Sequence, residues 1–232
     1  MKKGLTSFAV VTAATLTALS SPPVAAYEAG DWLVRGRIIS VNPKEDSGRV
    51  KAGGAPIPGS SVGLDNDETP EVDFTYMISR NLGLELILAS SKHEIKAKGA
   101  AIGALGNIFS ARTLPPTLTL QYHFMPDSKF QPYAGIGLNY TLFFDEDATS
   151  SLKALTGRDS VDLDDSIGVA AQLGMDVALT GNWFMNFDVK YIDMDTTATI
   201  KSSAASPLAG AKLKVDVDVD PWIYGIGVGY RF

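Results

Sequence analysis

The chain has 232 residues, 20 basic and 26 acidic side chains, a formal net charge of −6 and no cysteine. The length suits one or two domains, and the acidic balance speaks against nucleic acid as a partner. Without cysteine, neither a disulfide framework nor a thiolate metal site is available.

Lys2 and Lys3 precede the apolar run GLTSFAVVTAATLTAL, and SSPPVAA follows. Val24 and Ala26 stand at the small-residue positions before a cleavage point, so residues 1–26 read as a secretory signal peptide and Tyr27 as the mature start. The run is shorter than the ~20 apolar residues of a spanning helix, and no later segment offers one. The exported chain, residues 27–232, is then either soluble or a barrel.

Period-two alternation recurs along that chain. WLVRGRIISV sets Trp32, Val34 and Ile38 against Leu33, Arg35 and Arg37. EVDFTYMIS sets Val72, Phe74 and Tyr76 against Asp73, Thr75 and Met77, and GLELILAS sets Leu84, Leu86 and Leu88 against Glu85 and Ile87. TLTLQYHF, QPYAGIGLNYTLFF, SIGVAAQLGMDVAL and WFMNFDVKY continue the pattern. In the closing DPWIYGIGVGYRF, Trp222, Tyr224, Ile226, Val228, Tyr230 and Phe232 face away from three glycines and Arg231. About eight strands follow.

A soluble sandwich also alternates. Two features favour a membrane barrel instead. The polar faces are rich in glycine, small residues and charges of both signs, which suits a crowded interior. The connections alternate strictly: long ones near 42–69, 97–115, 145–165 and 201–211, short ones near 80–82, 125–129 and 180–182. That is the signature of an outer-membrane barrel with long extracellular loops and short periplasmic turns. Ten rises of ~3.4 Å from Trp222 to Phe232, tilted by ~40°, project to roughly 26 Å, close to the height of such a barrel's apolar band. The aromatics Trp222, Tyr224, Tyr230 and Phe232 then lie at the two lipid interfaces. A terminal aromatic such as Phe232 also resembles the signal read by the outer-membrane barrel-assembly machinery.

Several stretches, taken in order, carry a more specific likeness: YEAGDWLVR, NLGLEL, LPPTL from Leu114, KFQPYAGIGLNYTLFFD, DSIGVAAQLGMD, DMDTT and the ending. With them the chain resembles the OmpW family of small outer-membrane barrels. The resemblance implies an all-β fold, an eight-stranded antiparallel transmembrane barrel whose lumen opens outward, and passage of small hydrophobic molecules. It also implies roles as a surface receptor or in stress adaptation.

The inward set departs from the largely apolar lumen of that family. It holds Arg35, Arg37, Lys190 and Arg231 against Asp73, Glu85, Asp176 and Asp188, four positive facing four negative, as an expected ion-pair network in which Lys190 meets Asp188 and Glu85. Apolar candidates are Leu33, Met77, Ile87, Phe143, Phe184 and Ile192. An apolar path is open along part of the lumen, and Lys190 stands against it locally. On the outer rim, Asp193, Asp195, Asp216, Asp218 and Asp220 keep lipid-facing parity and must lie above the hydrocarbon, either as solvated strand ends or as carboxylates bridged by divalent cations to lipopolysaccharide phosphates.

No catalytic constellation emerges, and no cofactor is called for. His93 and His123 fall on different strands, with His123 an inward hydrogen-bonding residue. Asp145, Glu146 and Asp147 read as a solvated loop, GAPIPGSSVG as a flexible loop, and SLKALTGR as a short rim helix. The function expected is a narrow channel or carrier for small, mainly hydrophobic solutes, with no enzyme activity. The alternative is a closed structural or receptor barrel whose external loops bind partners or support the envelope. An eight-stranded interior holds its side chains or one small ligand, which rules out a general porin.

Overall fold

The computed structural model describes residues 26–44 and 46–232; the signal-peptide reading of the first residues lies outside this range. Eight long strands form the wall. β1 is Trp32–Asn42 and β2 is Asp67–Met77. β3 comprises Leu82–Ala89 and Ser91–Lys98, and β4 comprises Asn107–Leu114 and Thr117–His123. β5 is Phe130–Ala148 and β6 is Ser166–Ala178. β7 comprises Trp183–Ile192 and Asp195–Lys201, and β8 comprises Lys212–Asp218 and Trp222–Arg231. Every strand pairs antiparallel with its neighbours, and β1 closes the ring on β8 from Leu33↔Arg231 to Asn42↔Trp222. Closure leaves no strand edge, which hydrocarbon requires.

The strand faces explain the alternation. Outward side chains form an apolar band that includes Ile38, Phe74, Leu86, Leu120, Ile136, Ile167 and Val228; Ile136 and Ile167 expose 72% and 75% of their surface. An aqueous protein would not leave so continuous a band uncovered. Aromatics rim it. Trp32 stacks near Tyr76 and Trp183 near Tyr230 at one end, with Tyr230 against Phe232, while Tyr191 meets Trp222 at the other. These are the interfacial girdles of a spanning barrel.

Beyond the upper girdle the wall continues as ordered sheet, further than the sequence pattern indicates. The expected loop 97–115 is mostly strand: only a short turn around Gly103–Leu105 separates β3 from β4. Register shifts beside Ile95 and between Phe144 and Asp147 break the simple period there and hide the strands from it. Short strands at Asp46–Ser47 and Lys51–Ala52 dock on β8, Ala55–Pro56 pairs back on Lys51–Ala52, and Ser61–Leu64 docks on β3, so GAPIPGSSVG is partly sheet. The rim helix is present as α1, Ser150–Thr156, ending at Gly157 in the left-handed conformation.

Candidate functional site: the lumen

The lumen has two unlike halves. In the membrane-embedded half the inward residues are polar and interlocked. Arg35 Nη2 lies 2.8 Å from Asp176 and its Nη1 3.2 Å from Glu85. Arg37 reaches Glu71 at 2.9 Å, Asp73 at 2.5 Å and Asp188 at 3.2 Å. Lys190 Nζ lies 2.8 Å from Glu71 and 2.7 Å from Asp188. Neutral groups take up further lone pairs: Gln172 and Thr119 donate to Glu85, Asn186 donates to Asp176, and Tyr133 donates to Asp188. All of these side chains are buried. Paired and hydrogen-bonded charges are tolerated where a lone one is not, so the network is a plug that holds only as a unit.

The lumen glycines make room for it. A Cβ on Gly174 would collide with the Tyr133 ring, and one on Gly229 with the Phe184 ring. The bare face of the last strands thus lets large side chains from neighbouring strands lie flat in a narrow bore.

Three expectations need correction. Arg231 is not part of the plug. It sits half-buried at the periplasmic mouth, 3.6 Å from Asp31, with Asn182 as a further partner. The network instead includes Glu71, which shares the inward parity of Asp73 and stands mid-strand opposite Arg37. Lys190 meets Glu71, whereas Glu85 turns to Arg35 and Arg37. The balance is therefore not four to four. Among the described residues the buried charges are three bases, Arg35, Arg37 and Lys190, and five acids, Glu71, Asp73, Glu85, Asp176 and Asp188.

Below the plug, Tyr27, Leu33, Met77 and Phe184 form a small apolar cluster. Tyr27 is almost fully buried, packs edge-on against His123 and Phe184, and donates its hydroxyl to Asp176 at 2.8 Å. Its ring stops the periplasmic end.

Above the plug the lumen turns apolar. Ile39, Val41, Ile192, Met194, Val219 and Ile223 begin a buried cluster that rises through Ile95, Phe109, Ala198, Val215 and Val217 to Leu152 on α1. A column of three cavities runs through it, of about 40, 30 and 130 Å³ from floor to roof. Ile87, Phe143 and Ile192 line the lowest, with Lys190 and Glu71 as its floor. The six apolar candidates are thus split by the plug, three below and three above. One polar patch lies on the β3–β4 wall of the cup: Ser91 Oγ lies 2.7 Å from Thr113 Oγ1 and 3.0 Å from His93 Nε2.

The wall's ladder is interrupted beside this floor. Between β3 and β4 the ladder stops at Ile87↔Thr117 and resumes at Ser91↔Thr113, leaving 88–90 and 114–116 unpaired across this seam, while Leu88, Ala89 and Leu114 keep register partners on their other sides. Pro115 and Pro116 carry no N–H to donate across the gap, and Ala89 and Pro115 line the floor cavity.

On the outer rim, Asp195 and Asp218 are register partners, and Asp216 accepts hydrogen bonds from Lys51 and Thr197, which hold its carboxyl below the usual range. Lys214 lies 3.4 Å from it. Asp193 is exposed and Asp220 half-buried, with Asp220 accepting from the Met194 backbone. Among the described residues no three acidic or histidine groups gather to hold a metal ion.

A closed eight-stranded barrel with an apolar outer band, two aromatic girdles and a packed lumen defines a small outer-membrane barrel protein. The OmpW family model matches residues 28–232, and the chain belongs to that family. Outer membrane protein W of Vibrio cholerae serotype O1 is 39% identical, over 94% of this chain and 96% of that one. Among solved structures, the outer membrane protein OprG from Pseudomonas aeruginosa superposes with a TM-score of 0.83 at 42% identity, covering 89% of this chain and 98% of the other. The outer membrane protein AlkL in lipid bilayers superposes with a TM-score of 0.68 at 26% identity, covering 100% of this chain and 97% of that one. The protein sits in the outer membrane and crosses it with its strands.

Proposed function

We propose that the protein is a narrow carrier for small, mainly hydrophobic solutes, which it takes from outside into the apolar cup and releases sideways into the outer leaflet. The carrying observation is the cup itself: a buried apolar column that ends on a charged floor. Apolar solutes gain by leaving water for such a lining. The plug beneath bars them from the axial route, because passage would leave Lys190, Glu71 and Arg37 without partners. The seam that lacks register pairs between β3 and β4 lies level with that floor, with Ala89 and Pro115 lining the cavity and Leu88 and Leu118 exposed on the lipid side.

The test compares uptake of a poorly soluble aromatic hydrocarbon by cells with and without the protein in an otherwise identical outer membrane. Faster uptake with the barrel supports the carrier. Equal uptake, with the barrel folded, favours the second reading of a closed receptor or envelope-stabilising barrel. That alternative draws support from the ordered sheet above the membrane, where short strands between β1 and β2 build a fixed outer surface.

A further inference from the structure

We propose that the floor of the cup is a binding site for a neutral hydroxyl head, so that the solutes held best are apolar molecules ending in an alcohol. The inference rests on the carrier reading above and names its solute class.

The floor offers a donor and an acceptor side by side. Lys190 Nζ has three protons and donates to Asp188 and Glu71, which leaves one to give. Glu71 meets both Lys190 and Arg37 through the same oxygen, Oε1, so its other oxygen keeps its lone pairs. Both residues line the lowest cavity, and the rest of that lining is mainly apolar: Ile39, Val41, Ile87, Ile192, Met194 and Ile223. A hydroxyl both donates and accepts, so one small group matches both atoms without adding charge.

Charged heads fit less well. A carboxylate would enter above a plug of five acids against three bases, and like charges brought together in a poorly screened site repel. An ammonium would come beside Lys190 and Arg37, which already share Glu71 Oε1. A pure alkane leaves the floor groups unanswered, and a polar group shut away from water without its partner is costly. The Ser91–Thr113–His93 patch gives the head a second polar stop on its way along the wall between β3 and β4.

The test uses the full mature protein in lipid nanodiscs, with isoleucine methyls labelled for NMR, titrated with octane, octan-1-ol, octanoate and octylamine. Octan-1-ol is expected to shift the Ile39, Ile192 and Ile223 methyls and to bind about tenfold tighter than the other three, the gain of one well-placed polar pairing. Its C1 protons should show nuclear Overhauser contacts to Ile192 and its terminal methyl to Ile95, which lines the next cavity up the column. In Glu71→Gln the preference for the alcohol over octane should shrink; if that variant does not fold, the wild-type series decides alone. Octane, octanoate or octylamine binding as tightly as the alcohol, or the alcohol lying tail-down, overturns the hydroxyl site and leaves the carrier standing. If none of the four reaches the cup methyls, the carrier reading falls, and this inference with it.

Discussion

The Lys190 ammonium lies 2.8 Å from Glu71 Oε1 and so joins β7 to β2, two strands that share no edge. Two strands, β8 and β1, stand between them in the wall. The contact therefore crosses the bore, and it separates a polar lower lumen from an apolar upper one. Removing Lys190 leaves Glu71 and Asp188 short of a cation. Lys190→Ala is expected to destabilise the barrel by ~3–5 kcal/mol if the lumen stays dry, and by far less if water enters. Urea unfolding followed by the mobility of unboiled samples gives the first number. Planar-bilayer recordings give the second, with small ion currents in the wild type and larger ones in a wetted variant. A wild type that already conducts like a wide aqueous pore, unchanged by the substitution, rules out the plug.

Gly174→Ala tests how the plug is seated. The added methyl would occupy the space of the Tyr133 ring, whose hydroxyl donates to Asp188 at 3.1 Å and accepts from Asn186 at 3.0 Å. Overpacking of this kind costs ~1–3 kcal/mol, and the displaced hydroxyl adds to it. The double variant Gly174→Ala, Tyr133→Phe should lose less stability relative to Tyr133→Phe than the single variant loses relative to wild type only if the hydroxyl contacts are what the methyl breaks. Equal losses would assign the whole cost to the ring.

The side exit can be closed by a staple. Ser91 and Thr113 are register partners with hydroxyls 2.7 Å apart, directly above the unpaired stretch, and the chain has no cysteine of its own. Neighbouring strands at this spacing accept a disulfide. Ser91→Cys with Thr113→Cys should therefore crosslink on oxidation. If solutes leave between β3 and β4, uptake of the hydrocarbon falls on oxidation and recovers on reduction. Unchanged uptake by the fully crosslinked protein would move the exit elsewhere.

Tyr27 makes the periplasmic stop testable from the other end. Its ring covers His123 and its hydroxyl reaches Asp176, the partner of Arg35. Tyr27→Ala should admit water to His123, read as faster hydrogen exchange of the imidazole and of the β4 amides near it, and should cost ~3–5 kcal/mol as a buried aromatic truncation. Tyr27→Phe keeps the ring and should keep the stop, losing only the hydrogen bond, worth ~1.5–3 kcal/mol to a charged partner. Equal exchange in the wild type and Tyr27→Ala would show that the ring closes nothing. N-terminal sequencing of protein from outer membranes checks the proposed mature start at the same residue.

Much of this molecule is legible in one dimension because a barrel strand shows two faces to two solvents. Lipid selects one parity and the lumen the other, so Ile136, Leu138 and Val228 on one side and Arg35, Asp176 and Asp188 on the other declare themselves by alternation alone. The same rule flags Glu71, since it keeps the parity of Asp73 and Thr75; its place as the first residue of the alternating stretch EVDFTYMIS, with the strand running on to Asp67, hides it. The girdles at Trp222 and at Tyr230 and Phe232 follow from strand length, which the bilayer sets. What alternation does not contain is the stagger of the closed ring. That offset decides which residues of distant strands share a level, and it sends Lys190 to Glu71, Glu85 to the two arginines, and Arg231 to the mouth beside Asp31. The division of the lumen into a charged plug and an apolar cup arises there as well. Inward residues of different strands change from polar to mainly apolar at a shared height only once the strands are set in register, and height in the barrel is a property of the assembled wall.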